Sequence, residues 1–154
     1  MKAAIYRAFG KPDVLEIIDR SKPVAVGDEL LIRVEVAALN PKDVLLRKGK
    51  MRAMNARGWP KPVGHDAAGV VESVGPAVEG FKVGDRVFGM VNGTRLSTCA
   101  EYCLLRESET ARMPAAMDFA TAAAIPLAAQ TALQALRDCG ALLQGQRVLV
   151  NGAS

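Results

Sequence analysis

Apolar and polar residues alternate through the first two-thirds of the chain. Ile32, Val34, Val36 and Ala38 interleave with Arg33, Glu35 and Ala37, which predicts a strand with one face inward and the other open to solvent. Shorter runs at 3–7, 14–19, 69–75, 86–89 and 100–105 predict further strands. Nine of the fourteen glycines fall between Gly49 and Gly93, and Gly75-Pro76 and Gly84-Asp85 mark turns between the runs. Many short strands joined by such turns predict a mainly β domain closing into a small, partly open barrel, with a few short helices.

After Met117 the period changes. Asp118 is placed to cap a helix in which Phe119, Ala122 and Ala123 recur at helical spacing. Pro126 suits the first turn of a second helix, where Ala129, Ala132, Leu133 and Leu136 form a stripe expected to be buried, and Gly140 ends it. Leu127, Gln130, Thr131 and Gln134 share a more polar neighbouring face, suited to a cleft. Residues 147–150 form a compact apolar run typical of a parallel sheet, followed by a glycine-containing turn at 151–154. The expected division is therefore a β domain over 1–125, a linking helix over 126–146, and the first strand and turn of a further, truncated domain over 147–154. With no strand beside it, the 147–150 run is expected to be disordered, swapped or docked on a partner.

Composition narrows the class. The 154 residues are 50% apolar and 23% charged, with a net charge of +4, which suits a globular domain and gives no sign of a dedicated nucleic-acid binder. Seven basic residues lie between Lys42 and Lys61 against one acid, Asp43; they read either as an anion-attracting loop or as solvated surface charge. The three cysteines, Cys99, Cys103 and Cys139, cannot all pair within one chain, so reduced thiols and a cytoplasmic location are expected. No apolar run has the length of a membrane span, and the N-terminus lacks the apolar core of a secretory signal.

Candidate chemistry gathers at two places. Asn40-Pro41-Lys42-Asp43 is a good helix start, with an N-cap, a first-turn proline and an acid near the positive end of the dipole. His65, the sole histidine, reads either as a buried hydrogen-bonded side chain or as the proton-transfer group of a site working near neutral pH.

Seven segments occur in a telling order: 36–43 (VAALNPKD), 64–75 (GHDAAGVVESVG), 83–89 (VGDRVFG), 100–102 (AEY), 122–126 (AAAIP), 130–132 (QTA) and 148–154 (VLVNGAS). Together they resemble the N-terminal catalytic domain of the medium-chain dehydrogenase/reductase superfamily, in its zinc-independent, quinone-oxidoreductase-like branch. The resemblance implies a GroES-like barrel followed by a Rossmann domain that binds NADP(H) or NAD(H), with the active site in the cleft between them. It implies an oxidoreductase that delivers hydride to a quinone, enone or related carbonyl substrate, working as a homo-oligomer. Residues 151–154 would open the phosphate-binding loop, so cofactor binding is expected only in the full-length protein and this fragment is expected to be inactive alone.

Residue by residue, the resemblance makes Asn40, Asp43 and His65 catalytic candidates, and Asn40, Thr131, Asn151, Gly152 and Ala153 cofactor-binding candidates. Thr131 also reads as a helix hydroxyl bonded to the preceding turn. Zinc-dependent relatives carry cysteines where this chain has Asn40 and Leu127, and a histidine at His65. One ligand of three does not make a catalytic zinc site, and 90–98 lacks the cysteines of the structural zinc lobe, so no metal is expected. Two other readings stay open. A zinc alcohol dehydrogenase would hold one tight zinc per chain; a stand-alone GroES-like binding module would end near Ser154, where the oxidoreductase reading expects further glycines and a helix.

Overall fold

The computed structural model describes residues 1–51, 58–92 and 97–152. Eight strands, β1 (Lys2–Tyr6), β2 (Leu15–Asp19), β3 (Glu29–Ala38), β4 (Lys61–Pro62), β5 (Asp66–Val74), β6 (Arg86–Met90), β7 (Tyr102–Arg106) and β8 (Thr110–Arg112), form two antiparallel sheets. Their orders are β2-β1-β4 and β7-β3-β5-β6-β8. The sheets join where Ala3 bridges Ala100, where the Ala4 N–H donates to the Cys99 carbonyl (2.9 Å) and where the Glu101 N–H donates to the Lys2 carbonyl (3.0 Å). That junction curls the assembly into the expected partly open barrel.

The long strand begins earlier than the alternation predicted. Leu30, Leu31 and Ile32 are all buried, because a register shift between Leu31 and Ile32 breaks the strict period of two. On β5, consecutive Ala67 and Ala68 point to opposite faces. Ala67 joins Leu30, Ile32, Val71, Val87, Val91, Cys103 and Leu105 in the barrel core. Ala68 packs with Met113, Ala122 and Ala123 under the helix α2 (Phe119–Ala124). Gly69 lets β3 come close, since a Cβ there would land on the Arg33 carbonyl and 2.9 Å from the Ile32 side chain.

Asp118 caps α2 as predicted, accepting from the Thr121 N–H at 2.8 Å. Helix α1 (Pro41–Arg47) precedes the loop to β4; α3 (Pro126–Leu133) continues as a π-helical turn over Gln134–Cys139 and ends at Gly140. The apolar stripe on α3 is a correction: Ala129, Ala132, Leu133 and Leu136 are exposed, because no described element packs against that face. Residues 147–150 likewise have no ladder partner among the described residues, and Leu149 is 93% exposed. A strand's hydrogen bonds lie between chains, so an apolar run without a neighbour forms none. The basic segment departs from the solvated reading at two residues, while Lys48 and Lys50 are exposed. Arg47 is buried and donates to the Gly10 carbonyl, and Lys61 is buried with its ammonium 4.9 Å from the centre of the Trp59 ring. Arg52 and Arg57 lie outside the described residues.

Candidate active site

Asn40 sits in extended conformation (φ −114°, ψ 158°) immediately before Pro41 starts α1. The helix then returns Asp43 beneath it, where carboxylate Oδ2 accepts from the Asn40 N–H at 2.8 Å. The second oxygen, Oδ1, lies 2.6 Å from His65 Nδ1. His65 and Asp43 are both buried. The other ring nitrogen, Nε2, is buried and has no hydrogen-bond partner among the described residues. Gly64 makes this placement possible: it adopts φ +95°, and a Cβ there would meet Thr98 Oγ1 and come within 2.9 Å of the Cys99 backbone nitrogen.

Asp66, the first residue of β5, ties the site together. Its Oδ2 accepts from Asn40 Nδ2 at 2.9 Å and from the Leu127 N–H at 3.3 Å, so one carboxylate bridges β5, the start of α1 and the first turn of α3. The Leu127 N–H is one of the donors a helix start leaves free. The Asn40 side-chain amide is thus held by Asp66 through its Nδ2. Asp66 is buried, and that burial pushes its carboxyl above the usual range, opposed by the hydrogen bonds from Asn40 and Leu127.

Beside this network lies an open cleft of about 270 Å³, lined by Lys42, Met90, Asn92, Leu127, Gln130, Thr131 and Gln134. The four residues assigned from sequence to one polar face, three on α3 and Gln134 at the start of the π-helical turn, all line it. Thr131 Oγ1 donates to the Leu127 carbonyl at 2.7 Å, so it is both bonded to the preceding turn and turned to the cleft.

The structure thus gathers Asn40, Asp43 and His65 with Asp66, and sets Thr131 one turn beyond Leu127. Asn151 and Gly152 form an exposed turn, Gly152 at φ +74°, and no described contact joins them to this network. Ala153 lies outside the described residues. Sequence reasoning missed two participants. Asp66 was visible as a carboxylate beside His65, but its partners lie 26 and 61 positions away. Lys42 carried a local signal, a cation at a helix start, where the dipole disfavours one.

The donors do not suit a catalytic zinc. His65 offers one imidazole nitrogen, Asp43 is committed to His65 and the Asn40 N–H, and amide and leucine side chains stand at positions 40 and 127. Among the described residues no group of three His, Cys, Asp or Glu side chains is placed to hold a metal. The cleft does fit the amide end of a nicotinamide, with the Thr131 hydroxyl and the Gln130 and Gln134 side chains along one wall.

Comparison with known proteins agrees with the fold. Residues 27–133 match the family described as alcohol dehydrogenase GroES-like domain. The chain is 38% identical over 161 residues to 2-methylene-furan-3-one reductase of Solanum lycopersicum, covering 100% of this chain and 41% of that protein. It is 40% identical to an NADPH-dependent alkenal/one oxidoreductase, chloroplastic, of Arabidopsis thaliana, covering 88% and 37%. Among solved structures, the quinone oxidoreductase from Coxiella burnetii superposes with a TM-score of 0.86 at 31% identity, covering 91% of this chain and 45% of that one. The chain spans less than half the length of these relatives. It belongs to the alcohol dehydrogenase GroES-like domain family, in the quinone-oxidoreductase-like branch of the medium-chain dehydrogenase/reductase superfamily.

Proposed function

We propose that the full-length protein is a zinc-independent oxidoreductase that transfers hydride from NADPH or NADH to a quinone, enone or related carbonyl compound. In this reading 1–125 is the catalytic domain, 126–146 the linking helix, and 147–154 the first strand and turn of the nucleotide-binding domain. The observation that carries it is the buried Asn40–Asp43–His65–Asp66 network, tied through the Leu127 N–H to a cleft walled by a hydroxyl and amides, with neutral side chains where a zinc site needs thiolates. The names of the tomato, Arabidopsis and Coxiella relatives support an unsaturated ketone or quinone as acceptor, and the Arabidopsis name supports NADPH.

A reduced nicotinamide supplies the hydride when bound; the protein supplies position and electrostatics. Asp66 holds the Asn40 amide by its Nδ2, which leaves the carbonyl oxygen of that amide to accept from an N–H or O–H of the nicotinamide end or the substrate. Through the Leu127 N–H the same carboxylate fixes the first turn of α3, and with it the Thr131 side of the cleft. Asp43 fixes the ring orientation of His65 and, through the Asn40 N–H, the start of α1. Asn151, Gly152 and Ala153 would begin the phosphate-binding turn, for which the positive φ of Gly152 is suited.

No described helix is long and apolar enough to cross a membrane. A cytoplasmic homo-oligomer completes the proposal. The test is steady-state oxidation of NADPH and NADH by the full-length protein with an α,β-unsaturated ketone, a benzoquinone and, in reverse, a primary alcohol, each with and without a strong chelator. Enone or quinone turnover that survives chelation is expected. Alcohol oxidation lost on chelation would replace this reading with a zinc dehydrogenase, and absence of all turnover would replace it with a binding module.

A further inference from the structure

Lys42 is the one charged side chain among the described residues lining the cleft; its neighbours there are amides, a hydroxyl, Met90 and Leu127. No carboxylate pairs with it among the described residues, and the nearest in sequence, Asp43, is turned inward to His65 and the Asn40 N–H. It also stands in the first turn of α1, where the helix dipole opposes a positive charge. The helix start is provided for by Pro41 and Asp43, so the ammonium adds nothing to the stability of α1. An unpaired cation in a cleft otherwise built of neutral polar groups is suited to meet a negative charge supplied by a ligand.

We propose that Lys42 is a catalytic residue of this cleft, whose ammonium receives the carbonyl oxygen of the acceptor and stabilises the negative charge that develops there. The proposal rests on the hydride-transfer reading above and names its substrate class: acceptors that become oxyanions on reduction, enones through an enolate and quinones through a hydroquinone anion. For an enone, hydride delivered to the β-carbon breaks the C=C π bond. Its electron pair moves through the carbonyl to oxygen, and the reduced nicotinamide is oxidised by two electrons. The enolate then takes a proton at the α-carbon from water, releasing hydroxide and giving the saturated ketone. The ammonium forms no covalent bond and keeps its protons; it lowers the energy of the enolate relative to the neutral enone, which is the difference that accelerates the step.

The test uses the full-length protein as wild type, Lys42→Met and Lys42→Arg, with 4-nitrophenol as an oxyanion probe whose ionisation is read from its absorption spectrum without cofactor. The wild type is expected to favour the bound phenolate about tenfold over the free equilibrium, Lys42→Met to abolish that preference, and Lys42→Arg to keep most of it. In parallel, kcat/KM for an unsaturated ketone is expected to fall about 100-fold in Lys42→Met with KM for NADPH unchanged. If 4-nitrophenol ionises identically in wild type and Lys42→Met, or does not bind the wild type, the proposal is overturned. If the wild type reduces no enone or quinone, the hydride-transfer reading fails, while the phenol titration still decides whether Lys42 favours a bound oxyanion.

Discussion

Replacing Asp66 tests the network where it is most constrained. The Asp66→Ala change removes a buried carboxylate that accepts from Asn40 Nδ2 at 2.9 Å and from the Leu127 N–H at 3.3 Å, and leaves both donors without a partner. A charge-assisted bond of good length contributes about 1.5–3 kcal/mol, and the longer one to Leu127 falls toward the low end. Part of that loss is returned because the carboxylate itself is desolvated, as its raised pKa records. The net expectation is destabilisation of about 2 kcal/mol at neutral pH. The isosteric Asp66→Asn keeps an oxygen for the Leu127 N–H and carries no buried charge, so it is expected within about 1 kcal/mol of wild type at pH 7.

The pH dependence separates charge from shape. Because burial raises the Asp66 pKa, the folded chain holds that proton more tightly than the unfolded chain. The resulting stability is fully present below the ordinary carboxylate pKa of about 4 and is lost as pH rises through the raised folded value. Urea denaturation of wild type and Asp66→Asn across this window is expected to show the wild type losing ground to the variant as pH rises, then a constant difference. A difference that does not change with pH, or that moves in favour of the wild type as pH rises, would refute the burial argument. Equal losses for Asn and Ala at neutral pH would refute the hydrogen-bond argument.

Gly69→Ala is expected to cost about 2–3 kcal/mol in chemical denaturation, since its Cβ would strike the Arg33 carbonyl and Ile32 on β3; an unchanged midpoint would show that the strands can separate freely. Iodoacetamide at mildly alkaline pH is expected to alkylate exposed Cys139 and to spare Cys99 and Cys103, whose thiols burial pushes up to about 11 and about 12. Intact mass should therefore show one adduct, and fast addition of two or three contradicts the burial. Leu149→Ser should change stability by no more than about 0.5 kcal/mol, whereas Ile32→Ala in the barrel core should cost about 2–5 kcal/mol; comparable losses would mean that 147–150 is packed.

What could be read from the sequence was local. The Asp118 cap, the proline-led helix starts at Pro41 and Pro126, the stop at Gly140 and the strand over Ile32–Ala38 each depend on a few neighbouring residues, and each forms. The strands β4 and β8, of two and three residues, are too short to show a period and exist only because β1 and β6 offer ladder partners. The α3 stripe failed for the complementary reason: helical spacing reports which residues share a face, not whether anything covers it. Arg47 looked like solvated charge because its partner, the Gly10 carbonyl, lies 37 positions away and depends on how the chain closes on itself.

The segment Asn40-Pro41-Lys42-Asp43 shows why the site was half legible. Its helix-start chemistry was plain, and the same geometry then sends neighbouring side chains in different directions, about 100° apart around the axis. Asp43 turns inward, where it holds His65 and the Asn40 N–H, so its identity is demanded by the fold. Asn40 is held by Asp66 and cannot change without freeing a buried carboxylate. Lys42, between them, faces the cleft and supports neither bond. Fold and chemistry thus make separate demands within four residues, and position 42 is the one whose side chain takes no part in the buried network.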